Sequence, residues 1–210
     1  MSYGYLGDTS TSIKQQVKNA GVLTPNDILE LTAAKQISGS LEFIAEQSIS
    51  GSSTAILTTI KEDVYDVHYF ELVLTGSHQD HTIFLDMSTN GGSSYVNADF
   101  SHSKQYGQSN GTFNQTTSAS TANLQVAASV DSNNGCNIYG YLYRLGDANS
   151  RSHVNTYAMY ERSGDAGVSR FEWGGALYRN DGTINAIKFY PNVGTMTGTL
   201  KLYGIKQWVA

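Results

Sequence analysis

The sequence predicts an all-β protein: a jelly-roll-like antiparallel β-sandwich behind a short helical or extended N-terminal arm. Three observations carry that prediction. Residues 61–76, KEDVYDVHYFELVLTG, alternate cleanly, with His68, Phe70, Leu72 and Leu74 on one face and Val67, Tyr69, Glu71, Val73 and Thr75 on the other. That period of two is what a pleated strand imposes. About ten such segments recur between Gly, Ser and Asn turns, with few prolines, which suits a sandwich rather than a parallel sheet. Only 15% of the 210 residues are charged while Gly reaches 21 and Tyr 14, the composition of a turn-rich, weakly charged β particle.

Composition also excludes several function classes. A net charge of −5 with no basic stripe argues against electrostatic capture of nucleic acid. Cys136 is the single cysteine, so no disulfide can form within one chain, and a buried place in a strand is expected for it. No apolar run approaches the roughly 18 residues a membrane span needs, so no membrane insertion is expected. The opening MSYGYLGDTS lacks the basic start and apolar core of a secretory leader, which makes the cytoplasm the expected place of synthesis.

The chain begins with a Gly, Ser, Thr and Tyr-rich stretch over residues 1–12 that has no periodicity. Residues 11–19 form a short helical candidate, with Ser12 as cap, Ile13 and Val17 on one side, and Gly21 to close it. Thr24-Pro25-Asn26-Asp27 opens a second helix, with Pro at the first helical position and acid in the first turn. Helices of about 8 to 10 residues are not stable alone. They need a surface, either their own β domain or a partner protein. Ile13, Val17, Val22, Leu23, Ile28 and Leu31 are the apolar side chains that would dock. Ser38-Gly39-Ser40 reads as a hinge, which divides the chain into an attachment arm over 1–38 and a β body over 39–210.

Within the body, residues 41–48 read as a strand with Leu41, Phe43 and Ala45 on an apolar face, and 55–59 as another. After the long strand, 82–86 and 94–100 read as a pair joined through the Asn90-Gly91-Gly92 turn. Residues 101–122 are polar and nearly featureless, so they read as a long loop, with Tyr106 and Phe113 as anchors or short edge strands. Residues 124–130 alternate with Leu124, Val126, Ala128 and Val130 on one face. Residues 137–144 set Tyr139, Tyr141 and Tyr143 in a row opposite Ile138, Gly140 and Leu142. Further strands are expected at 155–162 and 168–178, the second holding Phe171 and Trp173 on one face and then Gly174-Gly175, which suggests a bulge or a close backbone approach. Asn180-Asp181-Gly182 reads as a hairpin turn into 183–191, where Ile187 and Phe189 oppose Ala186, Lys188 and Tyr190. The last strand covers 199–205 with Leu200 and Leu202 inward, and Trp208, Val209 and Ala210 are expected to pack.

Catalytic motifs are scarce. His78 and His81 flank Gln79-Asp80 with a ligand-like composition, but spacing fixes no third ligand, and no metal or other cofactor is expected. Asp131, Asp147 and Asp165 sit in Gly/Asn loops without calcium-loop spacing. Neither a Gly-x-Ser-x-Gly elbow nor a phosphate-binding Gly-rich loop occurs. Glu71 with Asp86, or Glu161 with Glu172, could meet across strands as glycoside cleavage requires, but a charged solvent face accounts for them as well. No enzymatic activity is expected. Tyr139, Tyr141, Tyr143 and Trp173 are candidate glycan-stacking rings, with Tyr178 and Tyr190 beside them, while cross-strand packing is the alternative.

The opening YGYLGDTSTSIKQQVKNAGVLTPNDILELTAAKQISGSLEFIAEQSIS, then IKEDVYDVHYFEL, STNGGSSY and the closing INAIKFYPNVGTMTGTLKLYGIK carry a resemblance that spans nearly the whole chain. It resembles virion structural and fibre-type proteins of marine tailed bacteriophages, cyanophages in particular. The resemblance implies a fibre or spike-type appendage subunit, attached through its arm to other virion proteins of the tail, neck or capsid. It further implies a homotrimer and a body facing solvent, in reach of host surface glycans. A capsid decoration or cement protein is one alternative and a carbohydrate-binding module another.

Overall fold

The computed structural model describes residues 40–206, apart from 97 and 166. The docking candidates Ile13, Val17, Val22, Leu23, Ile28 and Leu31, and the C-terminal Trp208, Val209 and Ala210, lie outside the described residues.

Twelve strands make up the body: β1 (Leu41–Ser52), β2 (Ala55–Leu57), β3 (Val67–Gly76), β4 (His81–Ser88), β5 (Phe100–Gln108), β6 (Phe113–Thr121), β7 (Leu124–Val130), β8 (Cys136–Tyr143), β9 (Arg151–Glu161), β10 (Ser169–Asp181), β11 (Ala186–Pro191) and β12 (Met196–Ile205). They form an eight-stranded sheet, β1-β12-β3-β8-β9-β10-β5-β6, and a four-stranded sheet, β2-β11-β4-β7. Every pairing is antiparallel. With β5, β6, β9 and β10 set aside, the remaining strands alternate between β1-β12-β3-β8 and β2-β11-β4-β7 except at β4 and β7, which follow one another in the same sheet, the connectivity of a jelly roll. The β9–β10 and β5–β6 hairpins are insertions that widen the large sheet beyond β8.

The core lies between the two sheets. From β3 the inward residues are His68, Phe70, Leu72 and Leu74, as the alternation predicts. Ile138 and Leu142 of β8 and Leu200 and Leu202 of β12 flank them, and Ile83, Leu85, Met87, Ile187 and Phe189 come from the small sheet. The rings of Phe70 and Phe189 meet across the layer at 5.1 Å. Gly140 makes room for Phe70: a Cβ there would lie 2.8 Å from the Phe70 ring and 2.1 Å from the Asn155 carbonyl oxygen. Cys136 is buried on the inward side of β8.

Several local expectations are corrected. Residues 101–122 are not a loop: β5 and β6 form a hairpin on the edge of the large sheet. The hairpin turn expected at 180–182 is absent: Asn180 and Asp181 are the end of β10, which pairs with β9 and β5, while β11 pairs with β2 and β4, so the chain changes sheets beyond Gly182. The described residues between 94 and 99 do not form the strand expected to pair with β4; among them the Val96 N–H reaches that strand, donating to the Met87 carbonyl at 2.9 Å. In β1 a bulge between Phe43 and Ala45 turns Leu41 and Phe43 outward and sends Ile44 and Ala45 to the core. In β7 a register shift opposite Ile83 and Phe84 breaks the expected alternation, so that Val126 and Ala127 are both buried and Ala128 is not; Ser129 follows with φ of 57°.

Candidate functional site

The outer face of the large sheet carries most of the rings that the small sheet does not cover. Period two places Tyr69, Tyr139, Tyr141, Tyr143, Tyr157, Trp173 and Tyr203 on it, with Phe43 from β1 and Phe113 from β6. These rings make lateral contacts. Phe43 meets Tyr203 at 5.8 Å, Tyr203 meets Tyr69 at 5.9 Å, and Tyr69 meets Tyr141 at 5.4 Å. Tyr139 stacks on Tyr157 at 5.0 Å, and Trp173 lies 5.3 Å from Phe171 and 5.7 Å from Phe113. Phe113 is 64% exposed, Met159 58% and Tyr139 39%, so these side chains are open to solvent on a face that also carries Glu71, Lys201 and Arg151.

Register fixes how the predicted rings relate. Tyr139, Tyr141 and Tyr143 share the outward side of β8, and Trp173 stands two strands away on β10. Tyr139 is opposite Tyr157, and Tyr157 is opposite Trp173, so all three lie in one transverse row. Two strand spacings put the ends of that row about 10 Å apart. Tyr178 leaves the candidate set: it is buried against Phe100, with ring centroids 5.5 Å apart. Tyr190 is on the other sheet, where its ring and that of Tyr95 lie 4.5 and 4.2 Å from the Lys188 ammonium. Lys188 there pairs with Asp86 at 3.0 Å, and burial raises the Asp86 carboxyl above its ordinary pKa.

Two shallow depressions occur on the outer face along β10. One of about 500 Å³ is lined by Ser101, Ser103, His153, Asn155, Gly175 and Leu177, among others. The other, about 300 Å³, is bounded by Gly107, Gln108, Ser109, Met159, Phe171 and Trp173 with their neighbours. At Gly174-Gly175 the pairing runs without a bulge, and Gly174 permits a close backbone approach instead: a Cβ there would lie 2.4 Å from the Ser103 carbonyl oxygen. Tyr157 escapes a reading of the sequence: the alternation of β9 marks it as outward, but only pairing shows what it stands beside.

On the inward side of the same strands, past the apolar core, lies a buried charged cluster. Glu172 Oε1 is 3.7 Å from Arg170 and 4.0 Å from Lys104, so one carboxylate serves two cations. Glu172 Oε2 accepts the Ala128 N–H at 3.1 Å and lies 2.8 Å from the Tyr160 hydroxyl, which is 2.6 Å from the Ala128 carbonyl oxygen. The Arg170 guanidinium sits 4.1 Å over the Tyr106 ring. Burial lowers the Lys104 pKa, and its Nζ has no hydrogen-bond partner. The cluster ties the bulged β7 to β9 and β10, a role in architecture.

The other candidates separate. His81 is fully buried on β4 with its Nδ1 2.8 Å from the His78 carbonyl, whereas His78 is exposed. Among the described residues no three His, Cys, Asp or Glu side chains gather as a metal site. Asp131 and Asp147 accept the N–H of Asn133 and Asn149 at 2.7 and 3.0 Å, as turn residues do. Glu71 is on the outer face of the large sheet and Asp86 on that of the small one; Glu161 and Glu172 take opposite sides of the large sheet. Neither carboxylate pair faces one cleft. No described helix is long and apolar enough to cross a membrane.

Comparison with known proteins finds no matching family model, no matching curated protein and no matching solved structure.

Proposed function

We propose that the chain is a non-enzymatic virion structural subunit of the fibre or spike type. Residues 1–38 dock it to the particle, and the jelly-roll body is displayed, works through the outer face of its large sheet and assembles as a homotrimer. The observation that carries this reading is the uncovered aromatic face on a sandwich whose core is otherwise complete. Monomeric proteins rarely leave such a face bare unless it meets something. Its eight strands span about 34 Å and a nine-residue strand about 30 Å, giving an area of about 1,000 Å². A stable complex buries about 800 Å² per partner. Leu41 and Phe43, near half exposed on the edge strand β1, lie beside Ile205 and Tyr203 and offer neighbouring copies an apolar patch at the edge of the sheet. The resemblance to marine phage appendage proteins supplies the virion context.

Deletion of residues 1–36 tests the docking role. The shortened protein is expected to keep its strand-rich circular dichroism and cooperative unfolding, yet to be missing from purified particles. Normal incorporation of the shortened protein would remove the arm from the account.

A further inference from the structure

We propose that the trough along β10 and β5 binds a neutral oligosaccharide, with Trp173 as its stacking ring and Gly175 as its floor. The inference rests on the reading of the outer face as the working surface, and it names the ligand class and the part of the face that takes it. Along β10 the outward residues are Phe171, Trp173, Gly175 and Leu177; along β5 they are Ser101, Ser103, Gln105 and Gly107. Tall rings and absent side chains therefore alternate. Phe171 stacks on one side of the Trp173 indole. The next outward position on the same strand is Gly175, so nothing on β10 covers the other side. A Cβ at Gly175 would come 3.2 Å from Asn155 Oδ1, which makes this glycine the condition for an open floor beside that amide. The two depressions lie along β10 on either side of this point, and residues 169–177 give the trough a length of about 26 Å.

The lining selects the ligand. No Asp, Glu, Lys or Arg lines the larger depression, and the one such residue in the smaller, Arg170, is turned inward and buried. An uncharged trough suits an uncharged ligand and gives no counter-charge to a phosphate backbone. Ser101, Ser103, His153 and Asn155 supply both donors and acceptors at the rim. Stacking faces beside mixed donors and acceptors complement a pyranose, which presents an apolar C–H face and a ring of hydroxyls. A lipid chain would need an enclosed apolar cavity, whereas both depressions are shallow. The trough extends along the strands, so a run of sugars fits it better than a single ring.

The tyrosines of β8 take a different part. Tyr139 is stacked on Tyr157, Tyr141 packs against Tyr69, and Tyr143 against Tyr141, so each gives ring surface to a neighbouring tyrosine. Of the rings expected from the sequence to stack on glycan, Trp173 is the one whose next outward neighbour along its own strand is a glycine, with Phe171 on its other side and Phe113 of β6 at 5.7 Å.

The test uses the full chain in native gels cast with dextran, yeast mannan, laminarin, arabinogalactan or hydroxyethylcellulose, with heparin as the anionic comparison. At least one neutral polysaccharide is expected to retard the protein, and calorimetry with its oligosaccharide gives the affinity. Trp173→Ala and Gly175→Val should each weaken that affinity by about tenfold or more, as loss of a stacking ring or of its floor implies. Ile56→Ala, exposed on β2 of the small sheet and away from both the trough and the edge offered to neighbouring copies, should leave it unchanged. Asn155→Ala provides a second trough variant should Gly175→Val fail to fold. Retardation by none of the neutral polymers, preferential binding of heparin, or full affinity in folded Trp173→Ala would overturn the proposal. Particle incorporation and solution mass of Trp173→Ala are expected to stay normal, so loss of sugar binding alone leaves the subunit reading standing.

Discussion

Tyr139 and Tyr157 stack across β8 and β9 with ring centroids 5.0 Å apart and planes 12° from parallel. They are direct cross-strand partners, so the stack reports the register of the first inserted hairpin on the jelly roll. A double-mutant cycle with Tyr139→Ala and Tyr157→Ala should yield a coupling of about 1 kcal/mol in urea unfolding. Strictly additive losses would mean that the rings do not pair in solution.

Gly140 sits where no side chain fits, between the Asn155 carbonyl and the Phe70 ring. Gly140→Val should destabilise the body by about 3 kcal/mol through forced shifts of a central strand and the Phe70–Phe189 pair. The urea midpoint measures it. A midpoint within error of the parent would contradict the packing described for β8.

Glu172 is the shared counter-ion of Lys104 and Arg170. Glu172→Ala leaves two buried cations without it and should cost about 3–5 kcal/mol. Adding Lys104→Met to that variant should recover part of the loss, because one of the stranded charges is removed. If the double variant is less stable than Glu172→Ala, Lys104 contributes through packing rather than charge.

Stability should fall as the solution is made mildly acid. Burial holds the imidazoles of His68 and His81 below the ordinary 6.5, opposed in part by the carbonyls of Ile60 and His78. His102 shares the sign. As pH drops through 6.5 the unfolded chain takes up protons that the folded chain does not. The stability present above that pH is then lost, at up to about 1.4 kcal/mol per pH unit for each buried histidine, until the folded-state values are reached. Asp86 has the opposite sign: its raised carboxyl contributes stability below 3.8 that is lost as pH rises through its folded value. Urea midpoints at about pH 7.5 and about pH 5.5 should differ less in His81→Gln than in the parent. Equal differences would remove His81 from the account.

What the sequence reveals depends on which physical signal each element carries. β3 is legible because Phe70, Leu72 and Leu74 face a core while Tyr69 and Val73 do not. β5 and β6 are missed for the converse reason. The inward side of β5 holds His102, Lys104 and Tyr106 against a charged cluster, and its outward side holds Ser101, Ser103 and Gly107, so hydrophobicity has no period there. The hairpin turn expected at 180–182 is wrong: Asn180 and Asp181 still belong to β10, and the chain leaves at Gly182 for the other sheet, since turn chemistry does not say where a strand ends or which sheet the next one joins. For the candidate face, alternation alone sets Tyr139 and Trp173 outward. Their place in one row depends on Tyr157 between them, and only pairing reveals it.

The central claim, a displayed appendage subunit that assembles through its β body, is tested most directly by solution mass. Light scattering on the full chain and on the chain without residues 1–36 should give about three times the chain mass in both cases, with 22.8 kDa for the full chain. A single-chain mass for both proteins would contradict the account.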